Sequence, residues 1–256
     1  MATAKDNAIG LYLEGIRDGH PREAIAKYTG ARYTQHSTGV ADGPEGFVSF
    51  FEPFLARNPD RDIQVVRALQ DGSSVFVHVH QVLNGGTARW VTTDFFESDA
   101  AGRIVEHWDV IEADQGLNPA GRSQVDGPAE LTDFDQTDAN KAVVQDFIDA
   151  VLIRRDLARA PEFLAADLMQ HTPGQQDGRG AFDAFYGAGD CPLSYQECFM
   201  AVGEGNFVAT LNRAQWKRQD VCRVDLFRVQ GGLIAEHWAN SELVPPKQEW
   251  ANSGKF

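Results

Sequence analysis

Ile9, Tyr12, Leu13 and Ile16 recur at the spacing of one helix face, so an amphipathic helix opens the chain. Pro21 suits a first helical turn, and a short helix is expected over residues 22–28. A third helix follows Asp42, which can cap it, with Pro44 in its first turn and Glu45 three residues after the cap. That helix carries Phe47, Phe50, Phe51, Phe54 and Leu55 on one side. Strand periodicity then takes over. Residues 63–68 form one candidate strand, and residues 75–80 another, whose alternation puts Phe76, His78 and His80 on one face. Asn84-Gly85-Gly86 signals a hairpin, and strands over 89–96 and 103–111 complete a meander. Helices first and antiparallel strands afterwards predict an α+β architecture, with helices covering one face of the sheet. A sheet that curls around them leaves a pocket against the Phe-rich helix.

The whole pattern is then written again. Gln35-His36 and Asp42-Gly43 recur as Gln170-His171 and Asp177-Gly178. Phe47, Phe50 and Phe51 recur as Phe182, Phe185 and Tyr186, and the first apolar stripe as Val144, Phe147, Ile148 and Val151. Asp94-Phe95-Phe96 returns as Asp225-Leu226-Phe227, and Glu106-His107-Trp108 as Glu236-His237-Trp238. The pairs are offset by 135 residues early in the copies and by 130–131 later, and so long a period means two duplicated domains of about 115 residues each rather than a solenoid. The first copy is placed at 1–113 and the second at 137–250. Residues 114–136, rich in Asp, Gly, Pro and Gln, read as a linker.

Composition narrows the partners. The 256 residues carry 37 Asp+Glu against 23 Lys+Arg, a formal net charge of −14, which repels phosphate and argues against nucleic acid and anionic membrane surfaces. Cys191, Cys198 and Cys222 are odd in number and lack a C-x-x-C pair, so neither a disulfide framework nor a zinc knuckle is indicated. With no signal-peptide pattern and no long apolar run, the expected location is cytoplasmic.

Candidate chemistry concentrates on Asp94. Thr92 and Phe96 share its strand face, and Trp90, Val91 and Phe95 surround it in sequence. A carboxyl group in such a strand is costly unless paired or protonated. There its pKa would rise, fitting it for acid–base work near neutral pH. The alternative is an edge Asp in a surface salt bridge. His80 is the histidine expected to partner Asp94, and His78 lies deeper on the same strand face. His36 and His171 each follow a Gln and precede a turn, as pocket lining or as loop histidines bonded to backbone. In Glu106-His107-Trp108-Asp109, alternation puts His107 with Asp109 and Glu106 with Trp108, so only one pair can face the pocket. Residue spacing leaves that choice open. No H-E-x-x-H, G-x-S-x-G or phosphate loop occurs, so no metal, triad nucleophile or nucleotide is expected.

Tyr33-Thr34-Gln35-His36, Asp42-Gly43, Val77-His78-Val79-His80, Asp94-Phe95-Phe96 and the run from Gly102 through Glu106-His107-Trp108-Asp109 to Val110 together resemble the SnoaL-like polyketide cyclase family. That family lies in the superfamily of nuclear transport factor two and ketosteroid isomerase. The resemblance spans nearly all of residues 5–113 and, more loosely, 138–245. It implies two tandem cone-shaped α+β barrels, each with about three N-terminal helices and a mostly antiparallel curved sheet around a deep apolar pocket. It further implies ring closure by intramolecular aldol condensation without metal or cofactor, with Asp94 as general acid/base and His80 beside it. His36, His78, His107, Gln35 and Trp108 are expected around the first pocket. The second copy keeps Asp225, His171 and His237, but Arg213 stands where the first has His80, which puts the same chemistry there in doubt. The expected ligand is a small apolar carbonyl compound, and the two copies are expected to pair as an intrachain pseudo-dimer, with higher association left open. Alternatives are ketosteroid-isomerase-like double-bond migration, epoxide hydrolysis, or a non-catalytic ligand- or partner-binding module.

Overall fold

The structure, a computed structural model, describes residues 2–256. It divides into two compact units: residues through Ala113 together with Val244–Phe256, and Asp114–Leu243. The repeat assigns residues 244–250 to the second copy; in the fold they belong to the first unit. The linker of residues 114–136 likewise belongs to the second unit.

In the first unit, α1 (Ala4–Gly10) begins in a capping box, in which Thr3 Oγ1 accepts from Asp6 N–H and the Asp6 carboxylate accepts from Thr3 N–H. It widens into a π-helical turn over Leu11–Arg17, which carries Tyr12 and Ile16 inward. Then follow α2 (Pro21–Tyr28), β1 (Thr29–Gln35), α3 (Gly43–Arg57), β2 (Arg61–Asp71), β3 (Ser74–Leu83), β4 (Ala88–Ser98) and β5 (Ile104–Ala113). The strand order is β1-β5-β4-β3-β2. All neighbours are antiparallel except β1, which runs parallel to β5 with Gln35 opposite His107. The helices pack on one sheet face, closing a core around Ala8, Leu11, Ile16, Phe47, Val77 and Phe96.

Asp42 precedes α3 as expected, but its side chain does not cap the helix. Its Oδ1 instead accepts from the backbone N–H of Gln35 at 2.7 Å, and Gly43 takes the left-handed conformation (φ 84°) that lets the chain turn into α3. The second copy repeats the device: Asp177 Oδ1 accepts from Gln170 N–H at 2.8 Å and Gly178 has φ 91°. The repeated Asp-Gly therefore anchors the end of the strand that carries the repeated Gln.

The second unit follows the same plan with α4 (Thr137–Phe147), its π-helical extension Ile148–Ile153, α5 (Ala160–Phe163), β6 (Leu164–Gln170), α6 (Arg179–Gly187), β7 (Leu193–Glu204), β8 (Phe207–Trp216), β9 (Gln219–Gln230) and β10 (Leu233–Leu243). Its strand order is β6-β10-β9-β8-β7, with β6 parallel to β10. Among the described residues no helix is long and apolar enough to cross a membrane.

Candidate active site

Strand alternation decides what meets what. On β4, Thr92, Asp94 and Phe96 turn toward the helices; on β5, His107 and Asp109 do, and Trp108 does not. On β3 the residue directly opposite Asp94 is Val77, so the inward set is Val77, Val79, Gln81 and Leu83. Phe76, His78 and His80 occupy the other face. His80 is therefore not the partner of Asp94, which corrects the expected pairing of the two. His78 is buried on that outer face and accepts from the Arg67 guanidinium at 3.3 Å.

The partner is His107, from the neighbouring strand β5. Its Nε2 lies 2.8 Å from Asp94 Oδ1. The imidazole is oriented from behind. Gln35 Oε1 accepts from Ser37 N–H, which fixes the amide, and lies 2.9 Å from His107 Nδ1. Nδ1 therefore carries its proton toward Gln35, and the Nε2–Oδ1 contact shares the proton that can move. On the other carboxylate oxygen, Tyr12 donates to Asp94 Oδ2 at 2.8 Å and also contacts Thr92 Oγ1 at 3.0 Å. Asp94 is 1% exposed, and this burial raises its pKa above the usual carboxylate range although His107 and Tyr12 pull the other way. Asp109, its cross-strand neighbour, behaves oppositely. Burial pushes its pKa up, but the Lys255 ammonium at 2.8 Å, His107 and Ser37 together bring it below the ordinary value.

These groups stand at one side of a cavity of about 360 Å³, within the range of small-molecule sites. Leu11, Tyr12 and Ile16 wall it from the first helix, Phe47, Phe50, Phe51 and Phe54 from α3, and Trp90, Phe96 and Ile111 from the sheet. Phe50, Trp90 and Ile111 are partly exposed, so an apolar rim leads inward. Tyr33 also lines the cavity, and its hydroxyl is buried without a hydrogen-bond partner among the described residues. Burial, with the nearby Asp94 and Asp109 charges, holds its pKa well above the usual tyrosine value, so it stays a donor. Tyr12, Tyr33 and Lys255 were not foreseen as site residues. Tyr12 belongs to the first apolar stripe, Tyr33 enters only through the Tyr33-Thr34-Gln35-His36 run, and Lys255 lies far from the site in sequence.

His36, Glu106 and Trp108 form a separate cluster on the outer face. The His36 ring stacks on Trp108 at 4.5 Å, its Nε2 meets Glu106 at 2.9 Å, and its Nδ1 donates to the Gly254 carbonyl at 2.6 Å. The repeated Gln-His and Glu-His-Trp thus split by parity: Gln and the second His point inward, the rest clamp a chain segment outside. His36, His78, His80 and Trp108, expected around the pocket, lie outside it. In the second unit His171 stacks on Trp238 and meets Glu236 at 2.7 Å and Asp126 at 2.6 Å in the same way.

The second copy keeps the inner relay but not the cavity. Gln170 Oε1 meets His237 Nδ1 at 3.0 Å, and His237 Nε2 meets Asp225 at 2.9 Å. By register, Arg223 stands where the first copy has Thr92, Asn212 where it has Val79, and Tyr195 where it has Ile63. The Arg223 guanidinium lies 3.0 Å from Asp225 and 2.6 Å from Tyr195 Oη, and Tyr195 and Asn212 both donate to Asp225 at 2.9 Å. Burial pushes the Asp225 pKa up, yet Arg223, His237 and Tyr195 bring it below the ordinary value, the reverse of Asp94. The remaining void among Phe147, Phe182 and His237 is about 10 Å³. Arg213 is half-exposed and pairs with Glu197 on the surface. It does occupy the register position of His80, and like His80 it turns away from the acid. Among the described residues no three His, Cys, Asp or Glu side chains gather as a metal site requires.

The SnoaL-like domain family matches residues 11–107, which hold Tyr12, Gln35, Asp94 and His107. Among curated proteins none matches the sequence. Among solved structures, the chain is similar to IdmH, a candidate polyketide cyclase from Streptomyces antibioticus, at 20% identity over 43% of this chain and 93% of that one, with a TM-score of 0.37. A candidate ketosteroid isomerase from Kribbella flavida is 18% identical over 44% of this chain and 87% of its own, with a TM-score of 0.37. An NTF2-like protein from Burkholderia xenovorans is 20% identical over 41% and 91%, with a TM-score of 0.36. The match over residues 11–107 places a SnoaL-like domain in the first copy.

Proposed function

We propose that the first copy is a cofactor-independent acid–base enzyme acting on a small, largely apolar carbonyl compound. The observation that carries this is Asp94, buried with a raised pKa, joined to His107 and facing an open apolar cavity. A carboxyl group poised this way can accept a proton from carbon beside a carbonyl and return it to oxygen or carbon. Tyr33, with its unused hydroxyl, donates to the carbonyl oxygen as negative charge develops there. For an aldol-type cyclisation, the Asp94–His107 pair takes the α-proton, and the enolate carbon bonds to a second carbonyl carbon of the same molecule. The new alkoxide then recovers the proton, so the enzyme ends unchanged. Simple enolisation uses the first and last of these steps.

The second copy is proposed to be non-catalytic. Asp225 is locked to Arg223 and the space a substrate needs is filled.

The test is α-proton exchange and ring closure, followed by NMR in D₂O over a panel of small β-dicarbonyl and polyketide-like compounds. Asp94→Asn should lower the rate by roughly 10²-fold or more, whereas Asp225→Asn should leave it unchanged. Full activity in Asp94→Asn would remove the residue from the mechanism.

A further inference from the structure

Two buried carboxyl groups, Asp94 and Asp109, stand opposite each other on β4 and β5 and turn to the same cavity. Neighbouring buried carboxyls ordinarily share a proton, because both cannot ionise cheaply. Here a third group breaks the tie, and it comes from the last residues of the chain.

Residues 251–255 are bound to the loop after β1 at the cavity wall. Ala251 N–H donates to Thr38 O at 2.8 Å, and Asn252 Nδ2 donates to Ser37 O at 2.6 Å and Val40 O at 2.9 Å. Ser37 and Val40 themselves line the cavity. Asn252 Oδ1 accepts from Gly254 N–H, and the Gly254 carbonyl accepts from His36. Gly254 has φ 105°, a conformation a side chain would oppose, and a Cβ there would also strike the Trp250 ring. The turn sends Lys255 inward, 1% exposed, to place Nζ 2.8 Å from Asp109 Oδ1. A buried ammonium is costly without such a partner, and seating one here needs a reason in the site.

We propose that the carboxy-terminal segment completes the first copy's acid–base machinery: Lys255 holds Asp109 as the fixed anion and leaves Asp94 as the carboxyl group that carries the exchangeable proton. This rests on the acid–base reading of Asp94 and makes Lys255 a positioning residue, acting through Asp109. The second copy supports the pairing of roles. Its register position for Asp109 is Ala239, so it has neither the second carboxyl nor the need for a lysine, and it neutralises its remaining Asp with Arg223 instead. The groups facing Asp109 are Lys255 and Ser37 from the terminal segment and the loop, Asp94 from β4, His107 from β5, and Tyr12 and Tyr33 from the first helix and β1.

The experiment is a carboxyl titration of the full chain by NMR with ¹³Cγ-labelled aspartate, in the absence of any carbonyl compound, so that it reads protonation and not turnover. In the unsubstituted protein Asp94 takes up its proton at higher pH than Asp109. Lys255→Met should raise the Asp109 midpoint by about one pH unit or more, and Lys255→Arg should restore it. Should Lys255→Met loosen the segment, Asp109→Asn offers a second arm with Lys255 kept: the ammonium, no longer balanced, should lower the Asp94 midpoint. Unmoved midpoints in both arms, or Asp109 protonating before Asp94 in the unsubstituted protein, would overturn the proposal. The turnover assay with Asp94→Asn decides the underlying acid–base reading separately.

Discussion

At the scale of single residues, Tyr33 stands out beside the fully bonded Asp94, because its buried hydroxyl has no hydrogen-bond partner among the described residues. A buried hydroxyl without a partner costs stability, on the order of 1–3 kcal/mol, and selection for folding alone would replace it with Phe. Tyr33→Phe is therefore expected to leave the protein as stable or slightly more stable, by up to ~1 kcal/mol in urea unfolding. Turnover should fall about tenfold or more through loss of the oxygen donor. A stability loss without a rate loss would make Tyr33 a structural residue. Asp94 as a buried carboxyl group was legible from the sequence, because an Asp among Val, Phe and Trp on a strand is conspicuous. Its partner was not. Alternation says which residues share a face, never which face is inward, and it says nothing of which strands lie side by side. His80 and His107 are each close to Asp94 in sequence. Only the order of β3, β4 and β5, with Val77 opposite Asp94, selects His107.

At the scale of elements, one substituted strand position changes what a repeated motif does. Helix stripes, the Asn84-Gly85-Gly86 hairpin and the antiparallel meander were all readable from periodicity, since each is a local pattern. The parallel strand β1 was not, because residues 29–35 are paired through a distant strand and carry no clear alternation of their own. On β9, Arg223 replaces the Thr92 of β4 and converts the acid into half of a buried ion pair. Removing only the cation leaves a buried charge, so Arg223→Met should cost about 3–5 kcal/mol at neutral pH. The sign of its pH dependence follows from linkage. With its pKa depressed, Asp225 contributes stability above the ordinary carboxylate pKa and loses it as pH falls through the lowered value. Without Arg223, burial dominates and the pKa is raised, so the contribution is present at low pH and lost as pH rises. The stability gap between the two proteins should therefore widen from about pH 3 to pH 7, measured as urea midpoints across that range. A gap independent of pH would mean that Asp225 does not titrate differently in the two.

At the scale of the whole molecule, the duplication yields two copies that share a plan and differ in their interiors. Both keep the Gln–His–Asp relay: Gln35, His107 and Asp94 in one, Gln170, His237 and Asp225 in the other. The relay by itself is thus compatible with either a working site or a filled core, and the difference lies in volume and in the surrounding donors. The second copy has Phe147 for Tyr12, Leu168 for Tyr33 and Ala239 for Asp109, while Tyr195 and Arg223 occupy the space left open beside Ile63 and Thr92. A chain built this way should bind one apolar ligand, not two. Titrating 2-naphthol, a bicyclic phenol suited to a cavity of about 360 Å³, into the full chain should give one site per chain by calorimetry. Installing the second copy's filling in the first, as Ile63→Tyr with Thr92→Arg, should abolish that site while the chain stays folded, because the same pair of side chains already packs against an Asp in this fold. Two sites in the unsubstituted chain, or binding that survives the double substitution, would show that the cavity beside Asp94 is not where the protein takes its ligand.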